Sequence, residues 1–321
     1  MTRRANKMVS FLVSAIALGV VFLYGCVGEI ITEKAGHLNL GIPGIMCLGT
    51  AGGSVGVALY MNGLSNPDSG VWILVILISF IFAVLFSAMG GLIYAFLTVT
   101  LKANQNVTGL ALTTFGAGFV DYVMSAIDKT RFSRASVLFK LSISKSQNWF
   151  CQLFLSYGIY VYIAIAIALA AAFVLRKTKV GLYLRAVGEN PATADAAGIN
   201  VAGYKYCAIL IGSAIAGLGG LFYLMDYVSG SWENSNTIQA MGWLAIALVI
   251  FTLWRPDLSI IGSIVFGALY LEATKLRTIL YLLDAIPYLI TILVLILTSV
   301  FDSKENQPPA SLGLPYFREE R

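Results

Sequence analysis

The sequence predicts an all-α, polytopic transmembrane helical bundle of about 8–10 spans, and three observations carry that expectation. Hydrophobic residues make up 58% of the 321 and charged residues 12%, with a mean hydropathy of +0.82; soluble domains are far more polar. Runs at 11–28, 71–96, 154–175 and 279–301 approach or exceed the roughly 20 residues that cross a hydrocarbon core as helix. The alternating polarity of a membrane-spanning strand is not seen.

The first run follows the basic leader MTRRANK and continues for about a full span without a clean small-residue cleavage site, so 9–28 reads as a transmembrane helix, not a removable signal. The segment 38–60, LNLGIPGIMCLGTAGGSVGVALY, is rich in glycine and carries a proline, which penalises a continuous helix. Two readings stand side by side: a broken, re-entrant pair of half-helices turning around Gly41–Gly44, tolerated where backbone is buried in protein, or glycine used for close packing. Further helices are expected at 71–96, 107–127, 154–175, 204–227, 241–254, 258–273 and 279–301. Within 204–227, Gly212, Ala216 and Gly220 recur every four residues, with Ser213 and Gly217 beside them, and form a small-residue face suited to close helix packing.

The whole chain, 1–321, reads as one membrane domain. If 38–60 does not cross, both termini and the polar loop 176–203 share one side. That side collects thirteen lysines and arginines, the other eight, Lys34 among them, which favours the thirteen as cytoplasmic. The net charge of +5 then needs no nucleic-acid partner. Cys26, Cys47, Cys151 and Cys207 show no CxxC spacing and read as passive packing residues.

Between two apolar runs lies RAVGENPATADAAGIN, 185–200. Asn190 can cap a helix, Pro191 suits its first turn, Ala192 to Ala197 propagate it, and Gly198 can take the left-handed conformation that ends it. A helix of about two turns is marginal alone, so 190–198 must dock against something. Its alanines permit close approach, and Arg185, Glu189 and Asp195 offer polar handles.

RKTKVGLYLRAVGENPATADAAGINVAGYKYCAILIGSAIAGLGG resembles the cytoplasmic coupling loop and following helix of permease subunits of ATP-binding-cassette importers for nucleosides and simple sugars. GEIITEKAGHLNLGIPGIMCLGT, LKANQNVTGLALTTFGAG, GWLAIALVIFTLWRPDLSIIGSIVFGALY and the tail NQPPASLGLPYFREER, within 302–321, are similar to the same group, the tail to its nucleoside-type members. The resemblance covers nearly the whole chain. It implies an importer permease fold in the plasma membrane of a bacterium, with Arg185, Glu189, Asn190, Pro191, Ala192, Asp195, Ala197 and Gly198 gripped by a separate ATPase. No G-x-x-x-x-G-K-[ST] phosphate loop occurs in the sequence, so ATP and Mg are expected on that partner and no cofactor on this chain. An extracellular substrate-binding lipoprotein and a second permease chain, giving a heterodimer, are the other implied partners.

Candidate substrate contacts are Asn39, Asn106, Thr108, Thr113, Thr114 and Trp243, which could offer amide, hydroxyl and aromatic groups to a nucleoside. Each has a plainer role: Asn106 and Thr108 as helix caps, Thr113 and Thr114 bonded to their own backbone, Trp243 as an interfacial anchor. The acidic residues Asp121, Asp226, Glu272 and Asp284 read as helix-end groups, no carboxylate pair at i, i+4 is expected on an apolar run, and His37 reads as a loop residue. An intramembrane enzyme is disfavoured, and no metal site is expected. A simple-sugar permease of the ribose or galactose type is the runner-up, and an ion-coupled secondary transporter a distant third.

Overall fold

The structure, a computed structural model, describes residues 3–66, 69–139, 149–276 and 307–317; the expected span at 279–301, and Asp284 with it, lie outside the described residues. Among the described residues there are helices and no strand. Seven helices among the described residues are long and apolar enough to cross a membrane, so this is a multi-pass membrane protein, and a shorter apolar helix accompanies them.

Helix α1 (Arg3–Lys34) runs one and a half turns past the apolar stretch that predicts it. It can do so because its polar end is buried with partners: Glu29 accepts the Asn39 amide at 2.8 Å, and Glu33 accepts the Trp254 indole N–H. Glu29 and Glu33 are therefore a buried i, i+4 carboxylate pair on an apolar helix, contrary to the expectation that none occurs.

The chain then turns through residues 35–41 and continues as α2 (Ile42–Asn62), one uninterrupted helix in place of the half-helices considered for 38–60. Its glycines are used for contact. A Cβ on Gly44 would meet the Leu112 carbonyl at 2.2 Å, and one on Gly49 would meet the Gly217 backbone at 2.3 Å. The helical penalty of glycine, about 1 kcal/mol each, is offset by backbone approach that a side chain would forbid.

Helix α3 (Trp72–Ala95) ends in a π-helical turn, Phe96–Thr100, and α4 (Gln105–Ala126) follows. The Leu38 amide donates to Gln105 at the start of α4, whereas Arg131, in α5 (Lys129–Phe139) just beyond the end of α4, donates to the Met61 carbonyl at the end of α2. Hence α2 runs the length of α4 and does not re-enter. After α6 (Trp149–Phe154), α7 (Ile159–Lys177) leads to the short helices α8 (Lys179–Glu189) and α9 (Pro191–Ala196). Next come α10 (Val201–Phe222), extended by a π-helical turn at Tyr223–Tyr227, α11 (Asn236–Phe251) and α12 (Pro256–Leu276).

Helix α10 lies antiparallel to α1. A Cβ on Gly212 would meet Gly28 O and Thr32 Oγ1, both at 2.4 Å, while Gly219 faces Tyr24 and Val21. Gly220 abuts the Met46 carbonyl of α2, so the small-residue face is a packing face. The carbonyl of Lys34 sits against Gly188 of α8. Lys34 thus lies at the same end of the bundle as 176–203, not opposite it. The amino-terminal half of α1 packs along α12, Ala15 against Gly267 and Gly19 against Ser263, and points to the other end. The tail 307–317 lies on α8, so it and the start of α1 occupy opposite ends, where charge alone puts both termini together.

This path is testable by labelling. In a cysteine-free background, Met8→Cys and Asn62→Cys are expected to react from one side of the membrane and Lys102→Cys from the other. All three positions are exposed. Reaction of Asn62→Cys and Lys102→Cys from the same side would restore the re-entrant path.

Candidate functional site

The end of the bundle that carries α8 and α9 is built from local signals. Thr178 caps α8 by accepting from the Gly181 amide at 3.2 Å, and Gly181 lets α8 cross the end of α7, since a Cβ there would meet the Val174 carbonyl at 2.1 Å. One face of α8 is thereby held between α7 at Gly181 and α1 at Gly188.

Asn190 then caps α9, accepting from the Thr193 amide at 3.0 Å, with Pro191 in the first turn. Gly198 closes it at φ +81°, where a residue with a side chain is strained. Asn200 immediately caps α10 through the Gly203 amide at 3.0 Å. The helix expected at 190–198 is therefore present with the anticipated ends, and α9 joins α10 by a short connection whose Gly198 and Ile199 amides bond back to α9. Ala194 faces inward into a small core with Val187 and Val201, whereas Thr193, Ala196, Ala197 and Gly198 are exposed and Ala192 is half-buried. An exposed strip of small residues on a docked, doubly capped helix can accept close approach of another surface.

The polar handles are partly taken. The tail folds onto this unit: the Ser311 amide donates to Gly188 O at 3.1 Å, the Ala310 amide to Glu189 Oε2 at 3.2 Å, and the Tyr316 hydroxyl to Asp195 Oδ2 at 2.9 Å. The Gly313 amide reaches Gly36 O, and Lys102 stands over the Phe317 ring at 4.3 Å. Glu189 and Asp195 thus hold the tail, and Arg185 is left exposed. These contacts span more than 120 residues of sequence, and no local signal announces them.

The candidate substrate residues divide into two groups. Asn39 is buried in the α1–α2 turn, where its Oδ1 accepts the Gly41 amide at 2.9 Å, and Thr113 ties α4 to the same turn by donating to Leu40 O at 3.0 Å. Thr108 is buried and donates to Asn104 O. Asn104, not Asn106, caps α4, accepting from the Val107 amide at 3.1 Å. Asn106 and Thr114 lie on the exposed stripe of α4 with Gly118 and Tyr122, and Thr114 also bonds its own backbone at Leu110. Trp243 is half-buried on α11 and is not brought to this stripe by any contact shown. Asp121 anchors α4 to the start of α11 by accepting from Ser235 N at 3.0 Å and Oγ at 2.7 Å.

The exposed stripes differ in chemistry. That of α3 is aliphatic and aromatic, with Ile73, Leu77, Ile81, Leu85, Met89 and Leu92, as a lipid-facing surface requires. That of α4 mixes Asn106, Thr114, Gly118, Tyr122 and Ser125 among its apolar residues. A cavity of about 670 Å³ between α7, α8 and α10 has a nearly all-apolar lining and offers little to a polar solute.

Two readings from the sequence change. His37 is buried, not in an open loop, and neither ring nitrogen has a hydrogen-bond partner; burial and the nearby Lys205 push its pKa down to about 3. Asp226 is buried as well. Among the described residues no group of three or more His, Cys, Asp or Glu is placed to hold a metal ion.

Comparison with known proteins supplies a family. A profile described as "Branched-chain amino acid transport system / permease component" matches residues 9–297. The nucleoside ABC transporter permease protein NupC of Lactococcus lactis subsp. cremoris is 27% identical, covering 98% of each chain. The guanosine ABC transporter permease protein NupQ of Bacillus subtilis is 29% identical, covering 92% of each. A Haloferax volcanii permease protein named for glucose ABC transport, TsgC13, is 29% identical over 83% of this chain and 76% of its own.

Proposed function

Because the chain belongs to the branched-chain amino acid transport system permease family, we propose that it forms the translocation path of an ATP-driven importer for nucleosides. The observation that carries the mechanical part is α9: capped at both ends, docked through Ala194, and presenting Thr193, Ala196, Ala197 and Gly198 outward. A separate ATPase that binds ATP and Mg grips this strip together with Arg185, while Glu189, Asn190, Pro191 and Asp195 keep the handle rigid. Displacement of α9 passes through Asn200 into α10. From there the Gly212–Gly28 and Gly220–Met46 contacts pass it to α1 and α2, because backbones in direct contact move together.

In this reading the α8–α9 end and the tail face the cytoplasm, and the start of α1 faces outward. An extracellular substrate-binding lipoprotein delivers substrate to that outer face. A second permease chain completes the path opposite the polar stripe of α4.

A nucleoside is neutral and amphipathic, so its path needs an apolar or aromatic surface and a few amide and hydroxyl groups, without a buried countercharge. The α4 stripe has that composition, offering Asn106, Thr114 and Tyr122 in turn along a path of roughly 24 Å. Replacing the first two as Asn106→Leu and Thr114→Val is expected to raise the KM for uptake about tenfold, the effect of losing roughly 1.4 kcal/mol of polar contact. Because both are exposed, protein levels should not change. Thr113→Val, by contrast, is expected to lower stability by about 1 kcal/mol through the lost bond to Leu40; a change in KM alone would move Thr113 into the path.

A sugar permease is the second reading, favoured by the similarity to the Haloferax protein. Uptake of labelled uridine, adenosine and ribose in cells with and without this chain, the ATPase present in both, separates the two. Loss of ribose uptake with both nucleosides unaffected would overturn the nucleoside assignment.

A further inference from the structure

We propose that the polar cavity enclosed by the α1–α2 turn, the end of α3, the start of α10 and the tail is a binding site for a phosphate-class anion. It has a volume of about 240 Å³ and brings together His37, Lys102, Lys205 and Tyr316 with the first turn of α10 at Val201 and Ala202.

Lys205 is 2% exposed and forms no ion pair with any described carboxylate. Burying an ammonium without a counter-ion is strongly unfavourable, so a bound anion removes a large penalty at this position. His37, 1% exposed, has both ring nitrogens unpartnered on the same lining. Being neutral at physiological pH, it contributes one N–H donor and no competing charge.

The first turn of α10 adds a third element. Its Gly203 and Tyr204 amides are bonded to Asn200, while those of Val201 and Ala202 have no partner among the described residues, and the 22-residue helix places its positive end there. Asp195, the one acidic group on the lining, is engaged by the Tyr316 hydroxyl. Donors that line one cavity from α1–α2, the end of α3 and α10 suit a tetrahedral oxyanion better than a flat carboxylate. A neutral nucleoside or sugar would leave Lys205 uncompensated. The binding claim stands apart from the substrate and coupling readings above.

The shared chemistry is a phosphate group, which inorganic phosphate and the headgroup of an anionic lipid both supply. The test uses purified full-length chain in neutral detergent. One arm titrates inorganic phosphate at constant ionic strength and reads the melting temperature; the other adds phosphatidylglycerol and counts bound lipid by native mass spectrometry.

In at least one arm the wild type should show saturable binding that weakens about tenfold in Lys205→Met, the loss of one charge-assisted contact. Lys102→Met, at an exposed position, gives the same direction should Lys205→Met not fold. Lys179→Met, outside the cavity, should bind as wild type does. Saturation by phosphate identifies a free-anion site, and a lipid adduct lost in the variant identifies a headgroup site. Absence of saturable binding in both arms, or binding unchanged in both cavity variants, would overturn the proposal, as would loss of ATPase docking alone in Lys205→Met, which would assign the cavity to an acidic side chain of that partner.

Discussion

Ala196→Arg combined with Ala197→Arg is expected to abolish substrate-stimulated ATP hydrolysis by the assembled transporter while leaving the membrane bundle folded. Both alanines are exposed on α9, and the inward contact of that helix is made by Ala194. Surface substitutions of this kind usually change stability by no more than about 0.5 kcal/mol. A bulky side chain in a closely packed interface costs about 1–3 kcal/mol, and two, at about 2–6 kcal/mol together, should lower ATPase affinity by roughly 30-fold or more. The measurement is ATPase co-purification and stimulated hydrolysis, with melting temperature as the control. Normal stimulation in the double variant would remove α9 from the coupling role, whatever the substrate.

Gly220→Leu is expected to prevent accumulation of folded protein altogether. A Cβ at that position would lie 2.1 Å from the Met46 carbonyl and 2.4 Å from Thr50 Oγ1, so α10 and α2 would have to separate. Overpacking costs of about 1–3 kcal/mol per site are common where side chains can move; here the obstacle is backbone, and the effect should exceed that range. Gly118→Ala is the matched control. Nothing lies within 4 Å of its Cβ, and it sits in the exposed stripe of α4. That substitution should raise stability by about 0.5–1 kcal/mol through helix propensity. Equal expression of folded Gly220→Leu and wild-type protein in a detergent melting assay would contradict the α2–α10 packing.

These contrasts show which parts of the fold are legible in sequence. The ends of α9 are, because Asn190, Pro191 and Gly198 act within two or three residues of themselves. Helix α2 is not, because propensity treats Gly44, Gly49 and Gly52 as breakers, whereas their worth is set by Leu112, Gly217 and Phe82 on other helices. Hydropathy stops α1 near Gly28, yet the helix continues through Glu29 and Glu33 because Asn39 and Trp254 meet their carboxylates. Trp254 does so from a left-handed backbone conformation, φ +54°, which no periodicity signals. The side on which the chain begins was obscured for the same reason: a glycine-rich segment scored as re-entrant removes one crossing and reverses every charge count before it. Of the candidate site, the short helix α9 is legible locally, while the tail clasp at Glu189 and Asp195 depends on residues more than 120 positions away.

The account rests on energy arriving from outside the chain through α9. The direct test is initial uptake of labelled uridine in cells that contain this permease, measured with its ATPase intact, with the ATPase deleted, and with proton and sodium gradients collapsed while ATP is maintained. Uptake is expected to vanish with the ATPase and to survive collapse of the gradients. Uptake that persists without the ATPase and disappears with an ion gradient would contradict the account and make the protein an ion-coupled transporter.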